Sequence, residues 1–520
     1  MRRTAAALAA VAVFCASSSS LFSQAKAPPS DRGLVLGGGL YDQFSLPARR
    51  QDSSCVDPNP QNTVTDRMNV ALNSSGPGYI LSLCQGTQYY IEAPIVFAFP
   101  GQEISTEGYP IEQEDGTDLR ATLVVSGPVA DGSGHTTAID GGCNNCSDIK
   151  IRHLIINGTR GDSGPTNGGA NIEIGGPNNG QLVEYVKSFD PRSWSCLHIF
   201  EGGLQCTNTT IQYNDIGPCG SDYFQYWADG ISVACANSWV HGNWVHGATD
   251  GGIVLFGSPG TLVENNTIWV GQNTQLGGIN MVDIDPWGGN YTGVVVRENT
   301  IMGGFATSAP EGSGDTDGTN NETAIMKIGI AIGPPVWFGP QYGSNVSFGG
   351  TVLNNRFSGA FGYAMGLDGV VNFTVQGNTL FGNLSYIGTQ GPNCSASPAL
   401  PAAESMVRDA NNVTDSNIQS EYFATVASAE SLTCIIPQNG DYWPYGGQPS
   451  PWVPGEQVPW GLGGATNSSA KTKIGLGVGI PLGIIGAAFL AWYFRRWYLE
   501  RNGFRTDGTE VVFVWVTLAN

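Results

Sequence analysis

Residues 228–304 read ADGISVACANSWVHGNWVHGATDGGIVLFGSPGTLVENNTIWVGQNTQLGGINMVDIDPWGGNYTGVVVRENTIMGG. Two short patterns alternate in this stretch. One is Gly followed by apolar-x-apolar: GISV at 230–233, GIVL at 252–255 and GINM at 278–281. The other is apolar-x-x-Asn-x-apolar: VHGNWV at 240–245, VENNTI at 263–268 and VRENTI at 296–301. An apolar-x-apolar unit is a short strand with one face turned in and one out. A repeat of 23 to 33 residues is too short to enclose a core of its own, so neighbouring units must stack to bury their apolar faces. Short strands, Asn and Gly at this spacing, without helical periodicity, predict an all-β chain folded as a parallel β-helix.

The same units extend in both directions. Residues 149–154, 183–186, 211–216, 240–245, 263–268, 296–301, 352–357 and 375–380 are expected to form one ladder. Residues 172–174, 197–199, 231–233, 253–255, 279–281, 330–332 and 365–367 form its partner. Asn214, Asn243, Asn266, Asn299, Asn355 and Asn378 then fall in a column at the bends, where stacked side chains can bond backbone groups of the next coil. The loop-like insert at 306–323 widens the spacing between Asn299 and Asn355.

Upstream, residues 66–72 read as a short helix, followed by strands at 79–83, 89–91 and 95–99. This resembles the N-terminal cap of the pectate-lyase-like superfamily, in which a short helix covers the open end of the solenoid. A solenoid needs such a cover because its last rung exposes core and strand edges. The resemblance implies a right-handed helix. The predicted organisation is a signal peptide at 1–27, an irregular lead-in at 28–62, the capped β-helix at 63–390 and a flap with a Pro/Gly-rich stalk at 391–470. A transmembrane helix at 474–494 and a cytoplasmic tail at 495–520 complete it.

The two end segments rest on composition. Arg2 and Arg3 precede an apolar run and a small-residue cleavage region, the pattern of a secretory signal. Residues 474–494 carry no charge, are long enough to cross a bilayer, and are followed by Arg495, Arg496 and Arg501. The expectation is a single-pass type I cell-surface protein. Sequons at Asn73, Asn157, Asn208, Asn290, Asn345, Asn372 and Asn412 fit a glycosylated ectodomain. Of 11 cysteines, Cys15 leaves with the signal, and the even remainder suits an oxidising compartment. Proximity in sequence favours Cys55–Cys84, Cys143–Cys146, Cys196–Cys206, Cys219–Cys235 and Cys394–Cys434. No cysteine–histidine grouping has zinc spacing, and nothing calls for a metal or cofactor. With 23 basic against 43 acidic residues, the chain is a poor partner for nucleic acid.

The chemistry is expected at Asp229 and Asp250. Each precedes a strand of the same ladder, in ADGI and TDGGI, 21 residues apart. If that interval is one coil, they stand on one edge in adjacent rungs, roughly 5 Å apart plus a one-residue offset. Paired carboxylates are the tools of glycoside hydrolysis, one as proton donor and one as base or nucleophile. Repulsion between them would keep one protonated. Trp194, His198, Trp227, His246, Asp283, Asp285 and Trp287 fall near the same ladder or its loops and are the expected substrate-binding set. Asp-Gly before a strand is also ordinary turn chemistry, so a purely structural role for the pair stands beside the catalytic one.

The stretch ADGISVACANSWVHGNWVHGATDGG resembles the part of polygalacturonase-type glycoside hydrolases that carries their catalytic aspartates. That resemblance implies an acid–base role for Asp229 and Asp250. Gly251 stands where that family has a further aspartate, the family's Gly-His-Gly is absent from the next coil, and MKIGI offers only Lys327 against its Arg-Ile-Lys. The leading expectation is a cell-surface glycoside hydrolase or related enzyme acting on a wall polysaccharide. The low count of basic residues favours a neutral glycan. The alternatives are a non-catalytic glycan-binding or spacer module, and a calcium-dependent lyase drawing on Asp283 and Asp285.

Overall fold

The computed structural model describes residues 55–433, apart from 162, 222–225, 272, 305–324 and 390–400. The expected signal peptide, stalk, transmembrane helix, tail, loop insert and Cys394–Cys434 pair lie outside the described residues. Among the described residues, no helix is long and apolar enough to cross a membrane.

The chain winds in parallel coils with three faces. One coil comprises Trp239–His241, Trp244–His246 and Gly251–Leu255; the next repeats them as Leu262–Glu264, Thr267–Trp269 and Gln275–Met281. The first strands of successive coils form an 11-stranded parallel sheet. The second and third strands pair with their counterparts in the same way, as in Val245 with Ile268 and Ile253 with Ile279. The expected two ladders are therefore three faces. The unit VHGNWV straddles a corner: Val240 lies on the first face, Val245 on the second and Asn243 between them. Periodicity misread this because the chain bends at the Asn without losing its inward apolar alternation.

The core is a set of aliphatic columns. Ile211, Val240, Val263, Val296 and Val352 line the first face, and Leu197, Ile231, Ile253, Ile279 and Ile330 the third; all are fully buried. Each such side chain withdrawn from water contributes about 1.5–3 kcal/mol, and each can do so only when the next coil is in place.

The corner is made by two residues. The one before the Asn takes the left-handed conformation: Tyr213, Gly242, Asn265, Glu298, Asn354 and Gly377 all have positive φ. The bend thus falls on the preceding residue, and the Asn itself turns inward. Asn243 donates from its backbone N–H and from Nδ2 to Asn266 Oδ1, at 3.0 and 2.9 Å. Its Nδ2 also donates to the Ile211 carbonyl at 3.0 Å. The arrangement repeats from Asn214 to Asn378, where Gln419 Oε1 takes the last position. The coil-to-coil bonding expected for this column is the observed one, while the left-handed turn falls on the residue before each Asn.

The N-terminal helix runs Val64–Ser75, longer than expected, and lays Val64, Met68 and Leu72 over the first coil. Gln102 Nε2 donates to the carbonyls of Leu72 and Gly76, satisfying the helix end. At the other end, parallel pairing continues past residue 390. Met406–Asp409 pairs with Arg356–Leu367, and Phe423–Val426 pairs with Met406–Asp409. Part of the segment expected to be a flap thus joins the solenoid.

Cys55–Cys84 and Cys143–Cys146 form as expected. The other two differ: Cys196 joins Cys219 and Cys206 joins Cys235, with Cα atoms 6.3 and 4.8 Å apart. Stacking decides this. Thr207 bridges Ala236 in the next coil, which sets Cys206 beside Cys235 although they are 29 residues apart.

Candidate active site

Asp229 opens the third-face strand Asp229–Val233, and Asp250 stands just before Gly251–Leu255. Ile231 pairs with Ile253, a register of 22 residues, so Asp229 lies level with Gly251 and Asp250 is one residue behind, as the spacing anticipated. The Asp250 N–H donates to the Ala228 carbonyl, fixing this offset.

The two acids have different surroundings. Asp229 is 7% exposed. Its Oδ1 accepts the Gly251 N–H and its Oδ2 the Ser232 hydroxyl, both at 2.9 Å. Burial pushes its carboxyl up to about 6, against the pull of those two donors and of His198. Asp250 is half-buried. Burial, then the charges of Asp229 and Asp283, raise its carboxyl well above the usual range. Asp283, two residues past the strand Gln275–Met281, is raised to about 8 by burial and by Asp229 and Asp285. Three mutually repelling carboxylates therefore gather on one face.

The floor beside them is a column of outward side chains. Glu173, His198, Ser232, Val254, Asn280 and Ala331 are successive register partners. Asn280 is buried, and its Oδ1 has no partner among the described residues. Gly251 and Gly277 sit in the next outward column, and side chains there would collide with Asn280. On the C-terminal side the helix Pro334–Phe338 covers the face. Trp337 and Val336 pack with Leu276, Ile328 and Tyr363, and Trp227 packs against the same cluster. Tyr342 lies near enough that burial and the charges of Asp283 and Asp285 raise its hydroxyl.

The predicted binding residues divide. Trp194 meets His198 edge-on, with ring centroids 4.7 Å apart. His198 Nδ1 is 2.8 Å from Glu173 Oε2. His246, by contrast, faces Asp215 on the second face at 3.2 Å. Burial opposes the charge of Asp215, yet His246 and Lys187 hold its carboxyl below its ordinary value. Trp287 donates Nε1 to the Ala234 carbonyl at 2.7 Å and so anchors the loop that carries Asp283 and the exposed Asp285. Sequence reasoning missed Glu173, Ser232, Asn280, Trp337 and Tyr342. Among the described residues no three acid, histidine or cysteine side chains converge on a metal-binding geometry.

A family model for the right handed beta helix region matches residues 204–397. The parallel coils of the structure agree with that description over the matched span. The β-helix continues on both sides of the matched span. No curated protein matches the chain. Among solved structures, an alginate lyase from Paenibacillus sp. str. FPU-7 is 16% identical, with 62% of this chain and 95% of that one covered and a TM-score of 0.38. An endo-xylogalacturonan hydrolase from Aspergillus tubingensis is 13% identical, covering 71% and 98%, at 0.42. The A-module of a mannuronan C-5 epimerase from Azotobacter vinelandii is 12% identical, covering 70% and 94%, also at 0.42. Likeness at this level carries nothing about substrate or reaction in the β-helix protein described here.

Proposed function

We propose that this β-helix protein is a polysaccharide-processing enzyme that hydrolyses a glycosidic bond with Asp250 as proton donor and Asp229 as base or nucleophile. The observation that carries this is the unequal treatment of two neighbouring carboxyls. Asp229 has two donors aimed at its oxygens, which favour the ionised form. Asp250 sits between the charges of Asp229 and Asp283, which favour the protonated form. Environments that push two acids apart in this way are how one site supplies both an acid and a base. Trp194, His198 and Tyr342 would contact the sugar. Three acids on the face favour a neutral glycan over a uronate.

We place the protein at the outer cell surface, on the strength of residues 1–27 and 474–494. The second reading, a non-catalytic glycan-binding module, is favoured by the burial and full hydrogen bonding of Asp229. The test is sugar release by the purified chain from a panel of neutral and acidic wall polysaccharides, beside Asp229→Asn and Asp250→Asn. Release lost in both variants supports the pair. Release equal to wild type in both removes these residues from the chemistry. Binding without release in the wild type moves the assignment to the second reading.

A further inference from the structure

His198 and Glu173 form a built pair that neither the fold nor the carboxylate pair requires. Glu173 and His198 are register partners on adjacent third-face strands, Ile172–Gly175 and Ser195–Phe200. Glu173 Oε1 accepts the Ala170 N–H at 2.6 Å, and Oε2 lies 2.8 Å from His198 Nδ1. Both carboxylate oxygens are thus committed, and the side chain has no freedom to turn away. The imidazole is further fenced by Trp194 edge-on at 4.7 Å and by Phe200 at 6.0 Å between ring centroids. One strand further, His198 is level with Ser232, whose hydroxyl donates to Asp229 Oδ2. Among the described residues Nε2 has no partner, and the ring keeps 16% of its surface open.

We infer that Glu173 is a positioning residue that holds His198 with its proton on Nδ1, so that Nε2 faces bound glycan beside Asp229 as acceptor and base. This rests on the hydrolase reading above. An acceptor-only carboxylate against Nδ1 demands a hydrogen there, which leaves the lone pair on Nε2. Imidazole so fixed can take the proton of a water or sugar hydroxyl. The proton moves to Nε2, the oxygen's electron pair forms the bond to the anomeric carbon, the glycosidic bond breaks as its oxygen takes the proton of Asp250, and Glu173 stabilises the imidazolium formed. The charge on that imidazolium also favours the ionised form of Asp229. His198 therefore acts on the neighbouring acid as well as on substrate.

The experiment has two readings on the full-length chain. The first is nitrogen-15 NMR of histidine-labelled protein, which separates the tautomers of its 5 histidines once His198→Asn has assigned the resonance. The Nδ1–H form is expected in the wild type and in Glu173→Gln, whose amide oxygen still accepts. In Glu173→Ala the Nε2–H form, favoured by free histidine, should return. An Nε2–H tautomer in the wild type, or no change in Glu173→Ala, overturns the positioning role.

The second reading is turnover on whichever glycan the wild type cleaves. His198→Asn, which keeps a donor for Glu173 but lacks Nε2, should lower kcat on the order of 10²-fold, with a much smaller rise in KM from the lost sugar contact. Glu173→Ala should lower kcat less, and Glu173→Gln should recover most of that loss. Wild-type kcat in His198→Asn overturns the base role. If the wild type cleaves no glycan, the hydrolase reading and the base role fall together, while the tautomer result still decides the positioning role.

Discussion

Two columns of polar side chains run from coil to coil in this molecule, and they are built on opposite principles. At the Asn corner every oxygen and nitrogen of the carboxamides meets a partner in an adjoining coil, from Asn214 to Gln419. At the acid-bearing edge of the third face, burial raises the carboxyl of Asp229, burial and the charge of Asp229 raise those of Asp250 and Asp283, and among the described residues Asn280 Oδ1 is left unpaired. Buried polar groups in folded proteins are nearly always satisfied, and exceptions call for an explanation. The corner is what a solenoid does with polar atoms when only stability matters. The edge departs from that pattern at the residues that could do acid–base chemistry, where strain of this kind is commonly tolerated.

The comparison breaks most visibly in activity. Asp250→Asn and Asp229→Asn should each lower sugar release by about 10²- to 10⁴-fold, the range of a lost general acid or base, while circular dichroism shows the fold intact. At the corner the effect is on stability alone. Asn266→Ala removes the side-chain acceptor of the Asn243 N–H and Nδ2 and the Nδ2 donor to the Val240 carbonyl and Asn299 Oδ1. It should destabilise by on the order of 3 kcal/mol, read as a lower urea midpoint with an unchanged slope. Gln419→Ala, at the end of the run, disturbs Asn378 and should cost only about 1 kcal/mol. A larger loss at the end than in the middle would show that the column is not the continuous network described.

The last expected effect is a slope with pH rather than a fixed loss. Asp283 has its carboxyl raised to about 8, above its ordinary value of 3.8, so between those pH values the folded chain binds more proton than the unfolded one. Its contribution therefore weakens as pH rises from 4 to 8. Asp283→Asn should match wild type near pH 4 and gain on it steadily towards pH 8. A gap that closes with rising pH would reverse the assignment.

The apolar columns and the Asn column were legible in the sequence because each recurs within one coil and needs only local periodicity. Asp229 and Asp250 were legible for the same reason, since their coil is short and uninterrupted. Glu173, Ser232, Asn280 and Trp337 were not. The third-face interval changes from 22 residues at Ile231–Ile253 to 26 at Ile253–Ile279 and 51 at Ile279–Ile330, so no fixed spacing joins residues across these coils. Trp337 arrives on a five-residue helix outside the repeat. Two of the expected disulfides, Cys196–Cys206 and Cys219–Cys235, failed for a related reason. Sequence proximity ranked Cys196 with Cys206, whereas the stacked coils bring Cys206 to Cys235.

The most direct test of the contrast between corner and edge is the urea midpoint of Asp250→Asn against wild type at pH 7. If Asp250 is held protonated among like charges for the sake of chemistry, the folded chain must keep a proton that the unfolded chain gives up at pH 7; a neutral amide escapes that cost, and the midpoint rises. A midpoint that falls would mean that the carboxyl is a satisfied structural group like those of the Asn corner, and would contradict the account.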